Sequence, residues 1–227
     1  MNKTKIEWCD YTVNPIKGLC LGGCYYCYAR RMYKRFKWPQ EVTYRPEELN
    51  KIATIKKPSR IFIGSTHDLL GEWIPDKWIF DIITKLQTYP QHTFLLLTKN
   101  PLRYTKFTFR DNFWCGITND AKEELGKKFA ENVVAFRNKK NTFISFEPLL
   151  GDWGEIPSNC KWVIIGALTG PQANTYYPRE QWIRRIINEA DRLNIPIFMK
   201  DNLRKYWEGE FRQEFPKFLT YIRHNNS

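Results

Sequence analysis

Residues 92–99 read HTFLLLTK, an apolar run that ends on a threonine and a lysine. It is short enough to be one strand, and a polar close on an apolar run marks the point where a strand leaves the core. The same rhythm recurs on both sides of it. Upstream lies RIFIGST (60–66); downstream follow FWCGITN (113–119), NTFISFEP (141–148), KWVIIGALTG (161–170) and IPIFMKD (195–201). YTVNPI (11–16) is a weaker candidate strand, placed just before a cysteine-rich loop.

Helical stretches separate these runs. In 76–88, Trp78, Ile79, Ile82, Ile83 and Leu86 fall at helical spacing behind Pro75, and Asp76 suits the electropositive first turn. In 179–193, Trp182, Ile183, Ile186, Ile187, Ala190 and Leu193 make one apolar face that NIP then ends. After the cysteine loop, residues 28–38 also read as a helix. Its exposed side is basic, carrying Arg30, Arg31, Lys34, Arg35 and Lys37.

Strands that alternate with helices predict a parallel α/β sheet, and right-handed crossovers then allow an open doubly wound sheet or a full or partial barrel. Both architectures gather ligands at the C-terminal ends of the strands. Those ends carry Ser65, Thr66 and Asp68, then Thr98 and Lys99, Thr118 and Asn119, Glu147, Thr169, and finally Lys200 and Asp201.

With 227 residues, 42% hydrophobic and 16% aromatic, the chain has the composition of one globular domain rather than a disordered segment. We expect a single domain over 1–227, with a cysteine loop at 18–28, βα units from about 60 to 201, and a C-terminal extension at 202–227. MNKTKIEWCD lacks the apolar core of a signal peptide, and FLLL and WVII are too short to span a bilayer. The expectation is a cytoplasmic protein without a membrane partner. A net charge of +12 makes an anionic partner plausible, nucleic acid ahead of membrane. Six cysteines without a secretion signal point to metal or redox chemistry before disulfides.

Three of the six lie in CLGGCYYC (20–27): Cys20, Cys24 and Cys27, on a loop with Gly18, Gly22 and Gly23. Such a loop can bring three sulfurs to one metal centre, and its glycines let backbone N–H groups approach them. Structural zinc wants four closed ligands, usually in two separated pairs. No second pair exists: His67, His92 and His224 stand apart, as do Cys9, Cys115 and Cys160. A four-thiolate cluster would need Cys9 to fold back. Three ligands on a four-iron cube leave one iron open, the mark of a catalytic centre.

This spacing, with Tyr26 just before the third cysteine, resembles the CxxxCxxC motif of the radical S-adenosylmethionine (SAM) superfamily. TKIEWCDYTVNP, CYYCYARRMYKRF, LLLTKNP, FEPLLGDW and IIGALTGP resemble more closely a family of phage-related three-cysteine proteins of unknown function, placed near the radical SAM enzymes and compared with spore photoproduct lyase. Many of its members carry threonine at the position of Cys9.

The resemblance implies a partial (β/α)6 TIM-type barrel of parallel strands with outer helices. It implies a [4Fe–4S] cluster on Cys20, Cys24 and Cys27 whose open iron holds SAM, cleaved to a 5′-deoxyadenosyl radical. A separate flavodoxin or ferredoxin type electron donor follows. In the superfamily, residues after the second strand bind the SAM amino group; here GSTHD (64–68) replaces the commoner Gly-Gly-Glu and offers Ser65, Thr66 and Asp68. Asp68 also reads as a helix N-cap before LLGEW.

Lys99 is a candidate for the SAM carboxylate or a substrate phosphate, and Asn119 for the ribose. Glu147 would be costly to bury alone, so it meets SAM, substrate or Lys200, in the last case as a structural ion pair. Cys115, inside an apolar strand, reads as core, with hydrogen-atom donation to a product radical as the sharper alternative; Cys160 reads as structural.

The expected function is a radical SAM enzyme acting on nucleic acid, DNA or RNA bound by a basic surface including Arg30, Arg31, Lys34 and Arg35. The alternatives are the same chemistry on a small molecule or peptide, and a non-catalytic iron–sulfur or zinc protein that binds nucleic acid or a partner.

Overall fold

The structure, a computed structural model, describes residues 3–120, 125–152, 155–217 and 219, and only the backbone of 125–128. Compactness divides the chain into two units, Met1–Trp114 and Cys115–Ser227.

In the first unit, β1 (Tyr11–Val13) pairs in parallel with β4 (Arg60–Ile63), and β4 with β5 (Thr93–Thr98). Between β1 and β4 the chain makes a two-stranded antiparallel ribbon, β2 (Ile16–Lys17) with β3 (Thr43–Tyr44), that brackets the cysteine loop and helix α1 (Tyr28–Phe36). A 3-10 segment at Pro46–Thr54 follows. The ribbon and this segment have no periodicity of their own, and the apolar pattern gave no sign of them.

Helix α2 (Asp76–Leu86) buries Ile79, Ile82, Ile83 and Leu86, the stripe its sequence spacing predicts. Arg60, only 2% exposed, is held by Asp10 at 2.9 Å and 3.2 Å, and Asp10 also accepts the Arg60 N–H at 2.8 Å. A buried guanidinium is tolerable only when its charge and donors are met in this way.

In the second unit, β6 (Phe113–Thr118), whose first two residues belong to the first unit, pairs in parallel with β7 (Thr142–Phe146), β7 with β8 (Val163–Ile165), and β8 with β9 (Ile197–Met199). Helix α3 (Leu125–Phe136) and helix α4 (Glu180–Arg192) supply two of the crossovers. Ile183, Ile186, Ile187 and Ala190 of α4 are buried as expected.

Gly116 fixes the packing of this sheet. A Cβ there would lie 2.1 Å from the ring of Phe143, so only glycine lets that ring cross the strand. Trp162 closes the layer from below, its indole N–H donating to the Glu214 carbonyl at 2.9 Å. In the C-terminal extension, Asp201–Tyr206 is a 3-10 helix and Gln213 bridges to Phe198; residue 218 and residues 220–227, with His224, lie outside the described residues.

Candidate active site

The cysteine loop hangs between β2 and α1. Gly18 enters it with φ +99°, and a Cβ there would lie 2.1 Å from the Glu41 carbonyl oxygen. Gly23 turns it at φ +70°. Both conformations belong to glycine, whereas Gly22 sits in ordinary backbone.

Cys20, Cys24 and Cys27 are half-buried and line one small open pocket with Gly23 and Thr66. Burial pushes the Cys20 thiol up, and the neighbouring backbone of Asp68 and Gly22 partly offsets that push.

Among the described residues, no group of three or more His, Cys, Asp or Glu side chains gathers to hold a single metal ion. Three thiols that line one pocket supply the number and type of ligand that a three-cysteine cluster takes, so the residues present fit one.

The elements around the loop hold it by bonds that the sequence did not announce. His67, 3% exposed, places Nδ1 3.1 Å from the Gly18 carbonyl, while its Nε2 accepts the Trp73 indole N–H at 2.8 Å. Those two partners fix a neutral imidazole with the proton on Nδ1, in line with the downward push that burial gives its pKa. Tyr33, on the buried side of α1, accepts the Gly18 N–H at 2.8 Å.

Arg30 donates to the Cys20 carbonyl at 2.9 Å and Arg31 to the Tyr26 carbonyl at 3.0 Å. These two arginines, expected on a nucleic-acid surface, also brace the loop through its carbonyls. Lys34 and Arg35 remain exposed.

The end of β4 is also more occupied than expected. The Ser65 hydroxyl donates to Asn14 Oδ1 at 3.1 Å, and the same oxygen accepts the Thr66 N–H at 3.2 Å. The Ser65 carbonyl accepts the Tyr28 hydroxyl. Asn14 was missed; its signal was the Asn-Pro dipeptide, a turn former at the end of β1.

Asp68 serves both of its readings in part. Its Oδ1 accepts the Leu70 N–H at 3.0 Å, a cap-like bond, while its Oδ2 accepts the Thr98 hydroxyl at 3.0 Å and the Lys99 N–H at 2.9 Å. It ties the end of β4 to the end of β5. Burial raises its carboxyl, and these three donors only partly offset that. Lys99 sends its ammonium over the ring of Tyr26, 5.5 Å from the centroid, and so stands over the cysteine loop.

In the second unit, Glu147 and Lys200 meet as an ion pair, both largely buried. Gly166 makes room for them: a Cβ there would stand 3.0 Å from Lys200 Cδ and 3.2 Å from Glu147 Cγ. Beside the pair, Asn202 and the Ala167 backbone exchange two hydrogen bonds of 3.0 Å and 2.8 Å. Asn119 is buried at the end of β6, its N–H donating to the Ser145 carbonyl at 2.9 Å.

Cys115 is 1% exposed, and burial pushes its thiol up to about 12. It registers with Thr142 on β7 and packs as a small core residue. Cys160, equally buried, donates its S–H to the Trp162 carbonyl at 3.2 Å.

Two solved structures resemble the chain in fold. Spore photoproduct lyase complexed with dinucleoside spore photoproduct matches with a TM-score of 0.59 and 10% identity over 91% of this chain and 79% of the other. A double mutant of spore photoproduct lyase, with bound AdoMet and dinucleoside spore photoproduct, matches with a TM-score of 0.54 and 11% identity over 100% of this chain and 64% of the other. No curated protein matches.

The likeness defines a class of fold, an α/β protein of partial TIM-barrel type with parallel strands and outer helices. Within it, the chain belongs to the family described as Protein of unknown function (DUF5131), whose model matches residues 3–214. Among the described residues, no helix is long and apolar enough to cross a membrane.

Proposed function

We propose that this chain is a radical SAM enzyme acting on nucleic acid, with Cys20, Cys24 and Cys27 holding a [4Fe–4S] cluster. The observation that carries the reading is the set of three thiols lining one pocket beside the end of β4. A cluster held by these three cysteines, with SAM on its open iron and an electron from a flavodoxin or ferredoxin type donor, would supply the reductive cleavage of SAM to methionine and a 5′-deoxyadenosyl radical.

The chain's own residues position and shield. Gly18 and Gly23 shape the loop, while His67 and Tyr33 hold its entry. Arg30 and Arg31 hold its carbonyls. Thr66 lines the cavity beside the sulfurs, and Lys99 places a cation over the loop where an anionic group of SAM or substrate would be stabilised. Asp68 fixes the strand ends on which these groups stand. In the second unit, the Glu147–Lys200 pair gives a polar site at the ends of β7 and β9 for substrate hydroxyl or phosphate groups.

Nucleic acid as the substrate class draws support from the +12 net charge and from fold relatives solved with a dinucleoside photoproduct.

The test is anaerobic reconstitution with iron and sulfide, then dithionite reduction with SAM, with Cys24→Ala as control. 5′-Deoxyadenosine that depends on Cys24 supports the reading. A loaded cluster that leaves SAM intact, or a protein that takes up only zinc, overturns it in favour of a binding protein.

A further inference from the structure

The helix that leaves the cysteine loop ends in an open aromatic ledge. Lys37 closes α1 in the left-handed conformation, φ 50°, and the Trp38 N–H returns to the Tyr33 carbonyl at 3.2 Å. That turn lays Trp38 alongside Phe36, their ring centroids 5.3 Å apart and their planes within 23°. Trp38 also meets buried Tyr33 edge-on at 5.3 Å, so the pair is braced from beneath.

From above it is bare, with Phe36 52% and Trp38 40% exposed. Two large rings stacked side by side and left in water forgo burial they would gain in a core, and a contiguous apolar face rimmed by polar residues is the character of an interaction site.

The rim of the ledge is cationic. Lys34, Arg35 and Lys37 are all exposed, and the Arg35 guanidinium lies 5.4 Å from the Phe36 centroid. Among the described residues, none of the three forms an ion pair with a carboxylate. Charge without internal compensation, set around flat apolar faces, complements a polymer that presents phosphates and free π-faces together.

We infer that this ledge docks single-stranded nucleic acid, with Lys34, Arg35 and Lys37 on phosphates and an unstacked base on the Phe36/Trp38 faces. A duplex keeps its bases stacked and has no face to offer the rings. An acidic peptide would match the charges and leave the rings unused. Helix α1 rises about 13 Å over its nine residues. A strand seated on the ledge therefore lies within a few nucleotides of the cysteine loop.

The inference rests on nucleic acid being the substrate class. It predicts that stacking and phosphate contacts are indifferent to the sugar, so that a dT12 and a U12 oligomer bind alike and both bind more tightly than a 12-base-pair duplex.

Fluorescence anisotropy on the full chain, with labelled oligomers and a salt series, tests it. Phe36→Ala is expected to weaken single-strand binding about 10-fold, and Phe36→Leu, which keeps the bulk and loses the π-face, nearly as much. The triple variant Lys34→Gln, Arg35→Gln, Lys37→Gln alters only exposed side chains. It is expected to reduce the slope of log K against log salt by about 2.

Wild-type affinity and slope in all three variants would overturn the ledge while leaving a nucleic-acid substrate standing. Tighter binding of duplex than of single strand would overturn the stacking mode. Failure of every oligomer to bind, in protein that still cleaves SAM, would overturn both the ledge and the nucleic-acid reading and leave the radical chemistry intact.

Discussion

The guanidinium of Arg30 donates to the carbonyl oxygen of Cys20 at 2.9 Å, joining the first turn of α1 to the first cysteine of the loop. The bond makes a surface-type residue part of the frame that sets where Cys20 stands. Arg30→Gln, too short to reach, is expected to lower iron and sulfide per chain after reconstitution, since a charged hydrogen bond of about 2 kcal/mol is lost. The salt slope of oligonucleotide binding should be unchanged. Full loading with a reduced slope would return Arg30 to a role on the surface.

Asp68 accepts three protein donors from the ends of β4 and β5, and an amide cannot replace it. Asp68→Asn offers one oxygen and brings an NH2 against donors that need acceptors. A destabilisation of about 2 kcal/mol is expected by denaturant titration, with weaker SAM binding beyond it, because the Lys99 N–H loses its anchor. Unchanged stability would show that water replaces the carboxylate there.

Burial decides which thiols react. Cys115 and Cys160, 1% exposed and both pushed up to about 12, are expected to stay unmodified by iodoacetamide in the native protein at pH 8, whereas the half-buried loop cysteines react. Peptide mapping after a timed pulse reads this directly. Early labelling of Cys115 would restore it as a candidate hydrogen donor.

Glu214 supplies a pH-dependent share of stability. Burial pushes its carboxyl up, but Arg212, at 2.8 Å and 3.1 Å, and the Ile197 N–H, at 2.9 Å, outweigh burial and hold it below its ordinary value. A carboxyl so held contributes above its unfolded pKa of about 4.3 and loses that contribution as pH falls through the folded value. Glu214→Gln is therefore expected to cost about 1 kcal/mol or less at pH 7, because the side chain is partly exposed, and progressively less on acidification. Unfolding curves of wild type and variant at several pH values check the convergence. A gap constant down to pH 3 would mean that packing, not charge, carries the effect.

The chain read by itself determined the parallel βα rhythm, the polar strand ends and the three-cysteine loop, since each is a matter of spacing along a line. The apolar faces of α2 and α4 were legible for the same reason: a 3.6-residue period is written into consecutive residues. Helix α3 was not singled out although Leu125, Phe129, Val133 and Phe136 recur at helical spacing, whereas the two-residue strands of the β2/β3 ribbon carry no pattern.

The tertiary structure decided what each polar group faces. Arg30 and Arg31 were legible as cations, but their bonds to the loop carbonyls depended on how α1 is rotated over the loop. Cys115 was legible as buried, yet its face depended on its register with Thr142. Asn14, His67 and Tyr33 gained their roles from contacts 15 to 52 residues away in the chain. A hydrogen bond acts over about 3 Å, and such a contact is fixed by the packing of whole elements, which no local pattern in the sequence records.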